Sequence, residues 1–200
     1  MNPFLHHPVI KGESVTLIPL EAEHADQLFA ISDPDVWTYM LGGISTAKEM
    51  KRKLEGQIQK RADGKALPFA VTLNETGELA GTTSLYELDF SQRSCELGAT
   101  WYGKRFAGTY VNSECKFLLL RYCFETLNVI RVQLKTDERN VRSQKAIERI
   151  GAKKEGILRK ERILESGHIR NAVLYSIVDD EWPAVKAHLQ KRIKEKQLSV

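Results

Sequence analysis

The sequence predicts a single α/β domain of the α+β kind, with a central mixed sheet flanked by helices. Its 200 residues, 42% hydrophobic and 28% charged, have the balance of one soluble domain with a substantial core. Short, alternating β-branched runs are bounded by turn residues, and stretches of helical periodicity separate them. The resulting order, β-α-α-β-β-β-α-β-α-β-β-α, suits neither a doubly wound sheet nor a barrel.

Val15–Leu20 alternates and is β-branched, so it reads as the first strand, with Pro19 marking an edge or a strand end. Glu21–Ser32 follows with Ala25, Leu28, Phe29 and Ile31 near helical spacing, until Ser32-Asp33-Pro34-Asp35 breaks it. Val36–Met40 leads to Gly42-Gly43. Ser45 or Thr46 can then cap a charged helix over Lys48–Arg61, whose thin apolar face (Met50, Leu54, Ile58) predicts a surface position. Pro68–Leu73 and Glu78–Tyr86 form a hairpin around Asn74-Glu75-Thr76-Gly77. Ser94–Tyr102 is a further strand, and Gly98 within it predicts a bulge or a close backbone approach.

After the loop Gly103–Val111, a core helix runs from Asn112 to Leu127, with Cys115, Leu118, Leu119, Tyr122 and Cys123 on one face. Val129–Lys135 alternates as a strand. A short helix introduced by Asp137–Asn140 ends before Gly151. Lys154–Ile163 and His168–Val178 pair around Glu165-Ser166-Gly167. A final helix opened by Asp179–Pro183 turns Trp182, Val185, Leu189 and Ile193 inward and its lysines outward. The expected domain is residues 1–200, with a core at 15–182 and a basic helix or tail at 183–200.

No apolar run approaches the ~20 residues of a membrane span, and residues 1–7 lack the regions of a signal peptide. Three cysteines, none in a Cys-x-x-Cys pair, fit reduced thiols, so a cytoplasmic location is expected. A net charge of +4 tolerates anionic ligands but is too mild to argue for nucleic acid. His6-His7 has no partners at metal-ligand spacing, so no metal is expected.

The stretch Ala107-Gly108-Thr109-Tyr110-Val111-Asn112-Ser113 precedes the long apolar helix, with Asn112 expected as its N-cap. A helix N-terminus presented by a glycine-bearing loop gathers free N–H groups and the positive end of the helix dipole, which makes a ready anion site.

The ordered set Glu96-Leu97-Gly98 with Thr100-Trp101, Gly108–Lys116, Arg131-Val132 with Lys135-Thr136-Asp137, Asn140-x-x-Ser143, Gly151-Ala152, Glu155-Gly156-x-Leu158-Arg159, Gly167-x-x-Arg170 and Glu181-Trp182 resembles the GNAT superfamily of N-acetyltransferases, in its RimJ/RimL-like branch. It spans Val15–Trp182. The resemblance implies a central mixed, mostly antiparallel, splayed sheet and acetyl-CoA as cosubstrate. It also implies direct transfer of acetyl to a primary amine, either a protein N-terminus or a small molecule. A homodimer is compatible with it. Two features depart from the family's pattern, the phosphate loop and the residue after Arg170. Ala107, Tyr110 and Asn112 stand where the phosphate loop carries Gln/Arg, glycine and glycine/alanine; a shifted frame, Arg105-x-x-Gly108, keeps the first half but meets Tyr110 at its end. Asn171 stands where relatives often carry Asp.

On this resemblance Ala107, Gly108, Thr109, Tyr110, Val111, Asn112 and Ser113 would meet the pyrophosphate, largely through backbone amides. Thr100, Trp101 and Tyr102 would offer pantetheine a free strand edge and an oxyanion donor. Asn140 and Ser143 would form the far wall, with Ser143 protonating the leaving thiolate, and Arg142, Lys145 and Arg149 near the adenosine phosphate. Glu96 is the expected base, ahead of Glu87 and Asp89. Trp37, Tyr39, Met40 and the loop Glu165–His168 would contact the acceptor. Each also has a plainer reading: Asn140 and Asn112 as caps, Trp37, Trp101 and Tyr102 as core, Glu96 in a salt bridge. Tyr110 in the loop keeps open a non-catalytic acyl-CoA-binding or RNA-associated module with the same fold.

Overall fold

The structure is a computed structural model that describes residues 3–4, 6–40, 42–164 and 166–198. Its strands are β1 (Ile10–Lys11), β2 (Val15–Pro19), β3 (Ala66–Leu73), β4 (Leu79–Asp89), β5 (Ser94–Tyr102), β6 (Arg131–Asp137), β7 (Lys153–Ile163) and β8 (Ile169–Val178). The helices are α1 (Ala25–Ile31), α2 (Pro34–Trp37), α3 (Ala47–Ala62), α4 (Tyr110–Arg121), α5 (Val141–Glu148) and α6 (Trp182–Gln197). The strands form one sheet in the order β1-β2-β3-β4-β5-β6-β8-β7. Every pairing is antiparallel except β5 with β6. This is the mixed sheet flanked by helices that the element order predicted, with the mostly antiparallel pairing that the resemblance implied.

Each face of the sheet carries its own core. On one, Leu17, Phe69, Leu97, Val132 and Leu134 pack with Leu118, Leu119 and Cys123 of the α4 segment and with Leu189 of α6. On the other, Leu20, Leu28, Met50, Leu54 and Trp101 close around Trp37. Alternate residues of a strand point to opposite faces, so one alternating strand feeds both layers.

Several boundaries differ from expectation. β1 is too short to show a period, and it extends the sheet beyond β2. A 3-10 turn, Ala22–His24, precedes α1, so that helix starts later than Glu21. Thr46 rather than Ser45 caps α3: its side chain accepts from the Glu49 N–H, and the Glu49 carboxylate reaches back to the Thr46 N–H. The helix α4 begins two residues before Asn112. Its N-cap is Thr109, whose Oγ1 accepts from the Val111 N–H at 3.3 Å. Past Arg121 the helix widens into a π turn over Tyr122–Thr126.

The bulge expected at Gly98 lies beside it. Between Thr82↔Trp101 and Ser84↔Gly98 the β4–β5 register shifts, and Ala99 takes a left-handed φ of 47°. Gly98 itself is required by space, because a Cβ there would fall 2.2 Å from the Tyr86 hydroxyl. The bulge reverses the side-chain alternation of β5. Glu96 therefore lies on the face opposite α4, whereas Thr100 faces α4 and meets Lys116.

Candidate active site

β5 and β6 pair in parallel only over Ser94–Glu96 and Arg131–Gln133. Beyond Glu96, β5 stays with β4 while β6 follows β8, so the two part like an opening V. Residues 97–102 thus keep one strand edge unpaired by β6. A cleft of about 890 Å³ occupies the gap and passes through the sheet.

The loop before α4 forms one end of this cleft. Gly108 has φ +82°, a region that L-residues rarely adopt, and a Cβ placed on it would meet nothing within 4 Å. The backbone is therefore open to a ligand just where α4 begins. Ala107, Gly108, Thr109, Asn112 and Ser113 line the cleft. Val111 is turned into the core, and Tyr110, half-buried against it, is not among the residues that line the cleft. From α6, Lys196 donates to the carbonyl oxygens of Gly108 and of Thr109, the latter at 3.1 Å. Burial, with the charges of Arg192 and Arg149, lowers the Lys196 ammonium below its usual range. Arg142, Arg149 and Arg192 also line this end. Lys196 was expected to face solvent; it is half-buried, with its ammonium turned onto this loop.

The far wall comes from α5. Asn140 caps it as expected, its Oδ1 accepting from the Ser143 N–H at 3.0 Å, and both residues line the cleft. Thr100, Trp101 and Tyr102 line it from β5. Of these, Trp101 is 6% exposed and packs on Trp37 at 5.1 Å between ring centroids. The Tyr102 hydroxyl is buried beside Cys115, whose thiol is pushed up to about 12 by burial, which leaves it unreactive near neutral pH.

Glu96 sits at the apex of the V and is 3% exposed. Its Oε2 accepts from Gln133 Nε2 at 3.0 Å and from Lys135 Nζ at 2.8 Å. Burial, then the charge of Glu96 and a hydrogen bond to it, push the Tyr86 phenol far above its ordinary range, so Tyr86 stays a donor to that carboxylate. Lys135 also lies 3.9 Å from Glu161, which pairs with Arg170 at 2.8 Å. Nearby, Asp137 is held by Arg139. Burial pushes its carboxyl up, but the Arg139 hydrogen bonds and the charges of Arg139 and Arg170 more than offset this. The Arg139 guanidinium lies 5.6 Å over the Tyr39 ring. Tyr39 and Met40 line this side, whereas Trp37 belongs to the core beneath it. Glu165 lies outside the described residues; among the described residues of that hairpin, Glu161, Arg162 and Arg170 on its strands line the cleft.

Comparison with known proteins decides the family. The model of the acetyltransferase (GNAT) domain matches residues 14–153. The chain belongs to the GNAT acetyltransferase family. It is 30% identical over 179 residues to a Bacillus licheniformis protein named uncharacterized N-acetyltransferase p20, covering 85% of this chain and 96% of that protein. A GCN5-related N-acetyltransferase from Brucella melitensis has a TM-score of 0.87 at 28% identity over 94% of this chain and 86% of that one. Mycobacterium smegmatis RimJ in complex with CoA-disulfide shares the fold, with a TM-score of 0.74 at 21% identity over 89% and 88% of the two chains. This GNAT chain is accordingly an acyltransferase with the open, mixed sheet of its structural neighbours.

Four contributors to the cleft escaped the sequence reading. Lys116 reads as a polar position on a helix, yet it is 6% exposed, because α4 is covered by the sheet, by α6 and by the β1–β2 segment. Tyr86, Lys135 and Lys196 reach the cleft only through tertiary placement. A signal existed for Lys135 alone, which shares the outward parity of β6 with Gln133.

Proposed function

We propose that this GNAT protein moves an acetyl group from acetyl-CoA to a primary amine, a protein N-terminal α-amine or a small amine, within the V between β5 and β6. The single observation that carries this reading is that one continuous cleft joins the open backbone at Gly108 to the buried carboxylate of Glu96. One end suits an anion and the other suits an amine.

The residues present fit the donor. The amides of the first turn of α4 and the cations Arg149, Arg192 and Lys196 favour a pyrophosphate and an adenosine phosphate. The unpaired edge at Thr100–Tyr102 suits an amide-bearing arm laid along it as an added strand. A free N–H of that edge can donate to the thioester oxygen as negative charge develops there. At the apex Glu96, oriented by Gln133, Lys135 and Tyr86, takes the amine proton directly or through water. Ser143 places a hydroxyl on the α5 wall that can bond the departing sulfur. An α-amine, with pKa about 7.7–8.0, needs less help from a base than a lysine at about 10.4. A carboxylate whose charge is shared with Lys135 fits the easier acceptor better. The free, buried state of Cys95, Cys115 and Cys123 supports work in a reducing compartment such as the cytoplasm.

The test is to incubate the protein with acetyl-CoA and a panel of peptides and small amines, reading thiol release and the acetylated atom by mass spectrometry. Stoichiometric thiol and an acetylated amine are expected. Acetyl-CoA binding with no thiol release across the panel would instead support a non-catalytic acyl-CoA-binding module.

A further inference from the structure

Lys116 lies one helical turn below Asn112, about 6 Å further along α4 from the anion-ready N-terminus. Its Nζ donates to Thr100 Oγ1 at 2.8 Å. That oxygen also lies 2.8 Å from Thr83 Oγ1 and 3.3 Å from the Gly98 carbonyl. Thr83, Gly98 and Thr100 belong to the β4–β5 bulge, just past the point where β5 leaves β6. Among the described residues no carboxylate pairs with this ammonium. The charged and titratable neighbours from the packed elements are few: the Cys115 thiol on its own helix and the Tyr102 phenol on β5, which faces Cys115. On the same helix, Glu114 turns away to accept from the N–H groups of Ser14 and Val15. An ammonium has three donors, and Thr100 uses one. Lys116 also lines the cleft.

A desolvated cation without a counter-charge costs stability. Burial moves the ammonium down to about 7, with Cys115 opposing the shift. A donor of that strength is well matched to a thiolate whose conjugate acid, by analogy with cysteine, lies near 8.5. A serine hydroxyl has no such readiness to part with its proton.

We propose that Lys116 is the catalytic acid of the transfer, giving a proton from Nζ to the sulfur that leaves the acyl group. The inference rests on the acyl-transfer reading given above. The new C–N bond forms as the C–S bond breaks. The C–S electron pair goes to sulfur, which takes the Nζ proton and departs as a thiol. The surplus proton of the acceptor nitrogen leaves through Glu96 to solvent, and the neutral Lys116 amine regains a proton from water in the cleft. Ser143 then hydrogen-bonds the sulfur without being the proton's source.

The experiment compares wild type with Lys116→Met and Lys116→Gln, using acetyl-CoA and its selenoester analogue, whose leaving group is a much weaker base. With acetyl-CoA, kcat of both variants falls about 100-fold with KM for the donor within about threefold, as for loss of a general acid. With the selenoester the loss shrinks to about threefold or less. Equal losses with both donors, or an unchanged kcat, would overturn the proposal. A second readout needs no turnover. Wild type binds CoA more tightly than desulfo-CoA, and Lys116→Met abolishes the difference. If the wild-type protein prefers neither ligand, Lys116 does not face the sulfur and the proposal fails. Absence of turnover in wild type, with the CoA preference intact, would count against the acyl-transfer reading instead. Both variants melt at or above the wild-type temperature at pH 7, since a buried unpaired charge is removed. A large drop in melting temperature for both would make Lys116 a structural residue and overturn the assignment.

Discussion

Gly108→Ala separates folding from donor binding at one atom. At φ +82° an L-residue costs roughly 1–2 kcal/mol, partly offset by the smaller conformational freedom that alanine has in the unfolded chain, roughly 0.4–1 kcal/mol. The added methyl meets no protein atom within 4 Å, so no clash adds to this. The expected net loss is therefore about 1 kcal/mol, or about 2–4 °C in melting temperature for a chain of this length. The same open space is where the proposed pyrophosphate approaches the backbone, and there the methyl stands in the way. A tenfold weaker Kd corresponds to about 1.4 kcal/mol of lost linkage, removing about 3–6 °C from the ligand-induced shift. The assay is thermal denaturation of both proteins with and without acetyl-CoA at about 100 times the wild-type Kd, where wild type gains about 2.7 kcal/mol. A variant that melts 2–4 °C lower yet shows the full wild-type shift would refute the placement of the anion at this loop.

Other residues carry independent expectations. Glu96→Gln should lower kcat by about 100-fold or more and flatten the acidic limb of the pH–rate profile; an unaltered limb removes Glu96 as the base. Ser143→Ala should lower kcat by less than Lys116→Met does, with little change in KM for the donor; an unchanged kcat takes the hydroxyl away from the sulfur. Hydrogen bonds from Arg131 and Ser176 hold Glu155 down at about 2, against 4.5 without them. In that window the unfolded chain binds more protons than the folded one, so stability falls as pH drops from about 4.5 towards 2. Urea midpoints at pH 5 and pH 3 should therefore differ less for Glu155→Gln than for wild type, and an equal difference would contradict the linkage.

How much of this was legible in the sequence depended on the range of the interaction. Strand alternation, the cap at Asn140, the bulge beside Gly98 and the apolar stripe of Trp182, Val185 and Leu189 are local, and they stand in the structure as read. The start of α4 was misplaced because two good caps, Thr109 and Asn112, lie three residues apart, and Tyr110 and Val111 between them are indifferent helix formers. That shift matters for the site, since it turns Val111 inward, lays Tyr110 half-buried against the core and leaves Gly108 exposed in the loop. The role of Trp37 turned on which face of α2 meets Trp101, a tertiary fact. Lys116 was invisible for the same reason. A lysine on a helix is ordinarily solvated, and only the covering of α4 on several sides makes this one a buried cation.

The central claim is that the donor lies in the V between β5 and β6, with its pyrophosphate at Gly108–Ser113 and its sulfur between Lys116 and Ser143. A crystal structure of the protein with bound CoA tests this most directly. The account predicts the pyrophosphate on the amides at the start of α4, the pantetheine arm along residues 100–102 and the thiol within hydrogen-bonding reach of Lys116 Nζ. CoA bound elsewhere, or bound in the cleft with its sulfur turned away from both Lys116 and Glu96, would contradict it.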